Sequence, residues 1–117
     1  MNESRARELV AGERARIQAA LRELTGDVRA TGPLERQQTG EAYEEGTDLQ
    51  MEGVDMALVD ALRQQLAAVG RAEERLAADT YGRSVVSGAP IPDDRLEADP
   101  LAERTIDEQR AFEASHG

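Results

Sequence analysis

The amino-acid sequence predicts a mainly α-helical protein, with an antiparallel coiled-coil hairpin over residues 1–79 and a small domain over residues 80–117 that ends in a helix. Two helix-forming segments each carry one narrow apolar stripe, and a stretch with glycine and proline separates them. The chain also has one Phe, two Tyr and no Trp. Ala, Leu and Val can fill a helix–helix seam, but this composition cannot fill a large globular core.

The first predicted helix runs from Glu3 to about Thr25, where Ala, Arg, Glu and Leu dominate. A stripe this narrow suits one partner helix and does not suit burial on several sides. Its apolar positions are Leu9, Ile17, Leu21, Leu24 and Val28.

The second predicted helix runs from about Thr47 to Asp79 and supplies the partner stripe. Two such helices joined by a loop form an antiparallel hairpin. Because a helix of about 25 residues is roughly 38 Å long, the hairpin is an extended arm. The stripe consists of Val54, Leu58, Leu62, Leu66 (or Gln65), Val69, Ala72 and Leu76.

The predicted loop of the arm, near residues 29–48, is strongly acidic. From Glu35 to Asp60 there are eight acidic residues and one basic residue, which is −7 of the chain's net charge of −10. One interpretation is a solvated loop that its charge keeps soluble. The other is an acidic tip that inserts into a basic or metal-containing cavity.

The small domain has several short elements. We expect a strand at Arg83–Val86 followed by a turn, then a short helix that ends at Ala98 with Asp93 or Asp94 as its N-cap. Thr105 and Glu108 have the spacing of a capping box at the start of a last helix. The expected core is Tyr81, Val85, Val86, Ile91, Leu96, Leu101 and Ile106.

The stretch Thr80–Gln109 carries the motifs T-Y-G, G-x-P-I and R-L-x-A-x-P. In this order they resemble the C-terminal zinc ribbon of the DksA/TraR family of transcription regulators. The segments T-D-L, D-M-A-L and E-R-L in the second helix extend the resemblance to roughly residues 40–112. The positions of the four zinc-binding cysteines of the family hold other residues here, namely Ser84, Ser87, Thr105 and Glu108.

The resemblance implies a coiled-coil arm, a degenerate zinc-ribbon-like domain and RNA polymerase as the protein partner. The arm would enter the secondary channel of the polymerase. Its tip would present Tyr43, Glu44, Glu45 and Asp48, where the best-known members have aspartates. An alternative is a helical protein–protein interaction module that keeps the family scaffold without acting in the polymerase channel.

The ligand positions of the ribbon predict a domain without zinc. Zinc in structural sites is bound by thiolate or imidazole, so two serines, a threonine and a glutamate are poor ligands. We therefore expect no metal and no cofactor. Ser84, Ser87 and Thr105 would instead hydrogen-bond across the vacated site, since polar groups in a core are tolerated when all are satisfied.

Composition argues against other function classes. The chain has no Cys and no Lys, and its only histidine is His116, so nucleophiles and bases with partners are scarce and we expect no enzyme. The net charge of −10 argues against direct nucleic-acid binding, which needs clustered cations. No segment resembles a membrane span or a targeting signal. We expect a cytoplasmic monomer.

Overall fold

The computed structural model of the chain describes residues 1–26 and 54–116. The mainly helical fold class is confirmed for these residues. The helices in the described ranges are α1 at Glu3–Thr25, α2 at Met56–Ala77, α3 at Asp93–Ala98 and α4 at Ile106–His116. None of these helices is both long enough and apolar enough to cross a membrane.

Helices α1 and α2 pack together, and each contributes to both of the compact units into which the chain divides. One unit comprises Met1–Glu13 and Ala68–Gly117, and the other comprises Arg14–Ala67. The start of α1 therefore shares a unit with the end of α2, and the end of α1 shares a unit with the start of α2. This pairing is that of antiparallel helices, as the sequence predicted.

The residues that α1 and α2 bury recur mostly at spacings of three and four, as expected for a helix–helix seam. The predicted stripe is confirmed at Ile17 and Leu62, but it is wrong at Leu58, which is 44% exposed. Val59 is buried instead. Leu58 and Val59 lie four and three residues before Leu62, so either spacing suits a seam, and the rotation of α2 places Val59 in it. The buried apolar residues of both helices are Ala6, Val10, Ile17, Val59, Leu62, Val69, Ala72 and Leu76. The predicted seam residue Val28 lies outside the described residues.

The helix ends follow from local chemistry. Helix α1 stops at Gly26, which has a φ of 68°, a conformation that glycine adopts without steric cost. Helix α2 begins after Asp55, whose carboxylate accepts a hydrogen bond from the Leu58 N–H at 3.2 Å. Asp55 is therefore a cap. The predicted helix, which began at about Thr47, would have contained Asp55, and this part of the prediction is wrong. Residues 47–53 lie outside the described ranges.

Beyond α2 the chain makes one antiparallel bridge, between Arg83 and Pro90. The Ser84 N–H donates to the Ala89 carbonyl at 2.8 Å, and the Ile91 N–H donates to the Gly82 carbonyl at 2.8 Å. The predicted strand at Arg83–Val86 is wrong, because the chain already turns at Ser84. No strand forms elsewhere in the described ranges.

The small core near the C-terminus is formed by Ile91, Leu96 and Ala102, with Tyr81 packed against them. The Tyr81 hydroxyl donates to the Pro100 carbonyl at 2.7 Å, and burial raises the pKa of this phenol to about 12.

Three predicted members of this core are exposed instead, namely Val85 (51%), Val86 (64%) and Ile106 (46%). The two valines lie in the turn between Ser84 and Ser87, whose inner side is polar. Ile106 begins α4, a helix that buries none of its residues.

Helix α3 follows directly after this core segment and differs from the prediction only at its start. Pro92 is its N-cap residue, and Asp93 and Asp94 lie in its first turn. The prediction that one of these aspartates is the N-cap is therefore wrong. The predicted end at Ala98 is confirmed. Acidic residues in a first turn still interact favourably with the helix dipole.

Candidate functional site

The turn from Ser84 to Gly88 presents its backbone N–H groups to one hydroxyl oxygen. Ser84 Oγ accepts hydrogen bonds from the N–H of Val86 at 3.0 Å and of Ser87 at 3.2 Å. The Gly88 N–H donates a hydrogen bond to the Ser84 carbonyl at 2.9 Å. Gly88 has a φ of 77°, which favours glycine. The turn therefore directs Ser84 Oγ inward, and Ser84 is buried.

Thr105 and Glu108 form the predicted capping box at the start of α4, and this prediction is confirmed. The Glu108 N–H donates to Thr105 Oγ1 at 3.3 Å, and the Thr105 N–H donates to Glu108 Oε1 at 2.9 Å. A capping box satisfies two N–H groups that a helix start otherwise leaves without partners. It also holds the Glu108 carboxylate at one defined place.

The two turns meet at that carboxylate. The Ser84 hydroxyl donates a hydrogen bond of 2.5 Å to Glu108 Oε1. Hydrogen bonds from Ser84 and Ser87, followed by the one from the Thr105 backbone, lower the pKa of Glu108 to about 2. We call these four residues (Ser84, Ser87, Thr105 and Glu108) the polar cluster. The expected hydrogen bonding of Ser84, Ser87 and Thr105 across this site occurs through Glu108, a common acceptor that the expectation did not include.

A second set of contacts ties the same two turns to helix α2. The Val85 N–H donates to the Glu103 carbonyl at 2.9 Å. The Glu103 carboxylate accepts hydrogen bonds from Arg71 Nε at 3.0 Å and from Arg75 Nη1 at 2.9 Å. Although burial alone would raise the pKa of Glu103, the two guanidinium groups outweigh it and lower that pKa below its ordinary value. Glu103 thus links α2 to the polar cluster.

One atom of this ion-pair cluster lacks a partner. Within the described part of the chain, Arg75 Nη2 is buried without a hydrogen bond. The Arg75 side chain is only 13% exposed, and that of Glu103 is 18% exposed. Arg75 therefore depends on Glu103, because a buried cation without its counter-charge is costly.

Two ion pairs join the first residues of the chain to α3, within the unit of Met1–Glu13 and Ala68–Gly117. Arg5 donates to both carboxylate oxygens of Glu97, with Nε at 2.8 Å and Nη2 at 2.6 Å. The terminal ammonium of Met1 lies 3.0 Å from Asp93. Both pairs join residues about ninety positions apart in the chain.

The polar cluster is built for hydrogen bonding and is poorly suited to metal binding. It has one carboxylate and three hydroxyls, and Glu108 already accepts bonds from its neighbours. Among residues 1–26 and 54–116, no group of three or more His, Cys, Asp or Glu side chains converges on a metal-sized site.

In comparisons with known proteins, no family model, curated protein or solved structure matches this chain.

The structure thus brings together Ser84, Ser87, Thr105 and Glu108, the four positions that the resemblance aligns with zinc ligands. The predicted acidic tip (Tyr43, Glu44, Glu45 and Asp48) lies outside the described residues. Sequence reasoning missed the contact of Glu103 with Arg71 and Arg75, and that of Arg5 with Glu97. The spacing of Arg71 and Arg75 at i and i+4 was the only local signal for the first, because it places two cations on one face of α2.

Proposed function

We propose that this chain is an RNA polymerase-binding transcription regulator of the DksA/TraR type, which works without zinc and without catalysis of its own. In this proposal the coiled-coil arm enters the secondary channel and the domain that contains the polar cluster is the docking foot. The acids at Glu44, Glu45 and Asp48 exert the effect in the channel.

One observation carries the proposal. The four positions that correspond to the zinc ligands of the family form two close pairs, and these pairs, with Ser84 and Glu108 separated by 24 residues, meet at one carboxylate. The residues around them that match the ribbon pattern have structural roles here. Tyr81 and Ile91 pack in the small core, and Gly88 has a positive φ. The resemblance in sequence therefore agrees with the local geometry.

The proposed mechanism is electrostatic. A polymerase channel must present magnesium and basic groups, and charges act on one another more strongly where water is scarce. Glu44, Glu45 and Asp48, which lie within the stretch of charge −7, would supply the acidic groups. The seam of α1 and α2 would supply the positioning, so binding and effect are carried by different residues.

The test compares binding with transcription, using the full chain and purified core RNA polymerase. Changing Glu44, Glu45 and Asp48 together to alanine should leave the affinity for polymerase within a few-fold and abolish any change in transcript output. A control variant removes the same charge from exposed acids of the two helices (Glu23, Asp60 and Glu74). That control should bind and act like the wild type.

The proposal fails if the wild type does not bind core polymerase at micromolar concentration and does not alter transcription in vitro. It also fails in part if the control triple variant loses activity as fully as the tip variant, since net charge would then explain the effect.

A second candidate function is a helical protein–protein interaction module that keeps the scaffold and has another partner. The exposure of Ile106, which is 46% accessible at the first residue of α4, favours this alternative. Ile106 lines an open groove between the segment before α3, α3 and the start of α4, together with Pro90, Pro92 and Ala98, and a mostly apolar concave site is the usual form of a binding pocket. Loss of polymerase binding together with retained binding of a peptide at this groove would select it.

A further inference from the structure

An open groove lies between the segment before α3, helix α3 itself and the start of α4. Its volume is about 580 Å³, which is within the range of roughly 300–1,000 Å³ for small-molecule pockets. The residues of this groove do not belong to the seam, and apart from Thr105 they do not belong to the polar cluster. Its apolar lining comes from Pro90, Pro92, Ala98 and Ile106.

The way the chain folds here explains why apolar groups face the groove. Ile91 is buried in the small core, so Pro90 and Pro92 on either side of it are directed outward and are exposed. On α3, Leu96 faces the core, while Asp94 and Ala98 lie four residues apart on a different face. Ile106 completes the groove from α4.

The charges beside the groove are mainly negative. Asp94, Asp99 and Asp107 line it, with Arg95 as the single cation. Arg95 is already engaged, because its Nε donates to the Arg104 carbonyl at 3.0 Å. A ligand in this groove therefore meets an apolar floor with an acidic margin.

We propose that the groove binds an extended peptide segment of a partner protein that presents large apolar side chains flanked by arginine or lysine. The apolar side chains would cover Ile106 and the two prolines, and the cations would pair with Asp94 and Asp107. A second copy of this chain is a poor occupant, because its net charge of −10 would oppose association. The inference does not depend on RNA polymerase as the partner.

The experiment measures fluorescence anisotropy of a labelled synthetic peptide, Ser-Arg-Leu-Arg-Leu-Arg-Ser, with the full chain at moderate salt. Two further peptides separate the contributions, one with serine in place of both leucines and one with glutamate in place of the arginines. We expect the first peptide to bind more tightly than either of the others.

The variants locate the site. Ile106→Ser should weaken binding of the first peptide by about fivefold or more, since it removes an apolar side chain that the peptide would cover. The double change Asp94→Asn with Asp107→Asn should weaken it by about threefold and reduce its salt dependence. Val86→Ser removes an exposed apolar side chain outside the groove, and Glu23→Gln with Asp60→Asn removes two charges elsewhere. Both controls should bind like the wild type.

Several results would overturn the proposal. Equal binding of the leucine and serine peptides would show that charge alone attracts the probe. Unchanged binding by Ile106→Ser, with helical content intact by circular dichroism, would exclude the groove. A dimer in sedimentation experiments that Ile106→Ser dissolves would make a second copy the occupant.

Discussion

The Ser84 hydroxyl and the Glu108 carboxylate are joined by a hydrogen bond of 2.5 Å across 24 residues of sequence. The contact connects the turn after the Arg83–Pro90 bridge to the first turn of α4. In a zinc ribbon, a metal ion makes the corresponding connection through four side chains. In this chain an ionised carboxylate is the common centre, and donors from both turns point to it.

The charge of Glu108 should make stability depend on pH. Hydrogen bonds lower its pKa from 4.5 to about 2. Because the folded state has the lower pKa, the contribution of Glu108 is complete above about pH 4.5 and is lost as pH falls toward 2. Urea unfolding of the wild type and of Glu108→Gln should give a stability difference that is constant near neutral pH and disappears at low pH. Asp107→Asn, in the same helical turn, is the control. A difference that widens below pH 4 would contradict the assignment.

Placing cysteine at Ser84, Ser87, Thr105 and Glu108 should create a zinc site. The wild type should stay folded in the presence of a chelator and should carry no zinc in native mass spectrometry. A variant with Ser84→Cys, Ser87→Cys, Thr105→Cys and Glu108→Cys should bind one zinc ion per chain under reducing conditions, because four thiolates that converge form a structural site. A control with cysteine at positions 85, 87, 105 and 108 should bind more weakly, since Val85 points outward. Equal zinc affinity for the two variants would show that the four positions do not converge on a metal-sized site.

The seam between α1 and α2 can be tested with two leucines of α2. Leu62 is buried and Leu58 is 44% exposed. Leu62→Ala should lower the free energy of unfolding by about 2–4 kcal/mol, as is usual for buried leucines. Leu58→Ala should change it by less than about 0.5 kcal/mol. Chemical denaturation monitored by circular dichroism measures both. Similar losses for the two variants would mean that the seam is assigned wrongly.

The ion-pair cluster around Glu103 should matter more than an exposed pair. Glu103→Ala leaves Arg75 without its carboxylate, although Arg75 is only 13% exposed. We expect this change to lower the free energy of unfolding by about 1–3 kcal/mol, the usual result of leaving a buried polar group unpaired. Glu97→Ala removes the partner of Arg5 at an exposed position, and should have an effect below about 1 kcal/mol. A larger loss of stability for Glu97→Ala than for Glu103→Ala would contradict this prediction.

The features that depend on near neighbours in the chain could be predicted from the sequence alone. Helix α1 was predicted with its observed bounds, the end of α3 at Ala98 is correct, and the capping box of Thr105 and Glu108 forms as expected. The antiparallel pairing of the two long helices also follows from their apolar stripes. The first three of these features depend on residues within about four positions of one another, where helix geometry and capping chemistry dominate. The helix pairing does not, and it was predicted because a loop joins two helices that each carry one apolar stripe.

Tertiary structure decided the features that join distant segments. Whether Leu58 or Val59 enters the seam depends on the rotation of α2 against its partner, which one-residue differences in apolar spacing do not determine. Glu108 became the acceptor for Ser84 and Ser87 because the turn at Gly88 and the start of α4 meet in space. Glu103 pairs with Arg71 and Arg75 for the same reason, since ion pairs over about thirty residues form only where packing places both charges together.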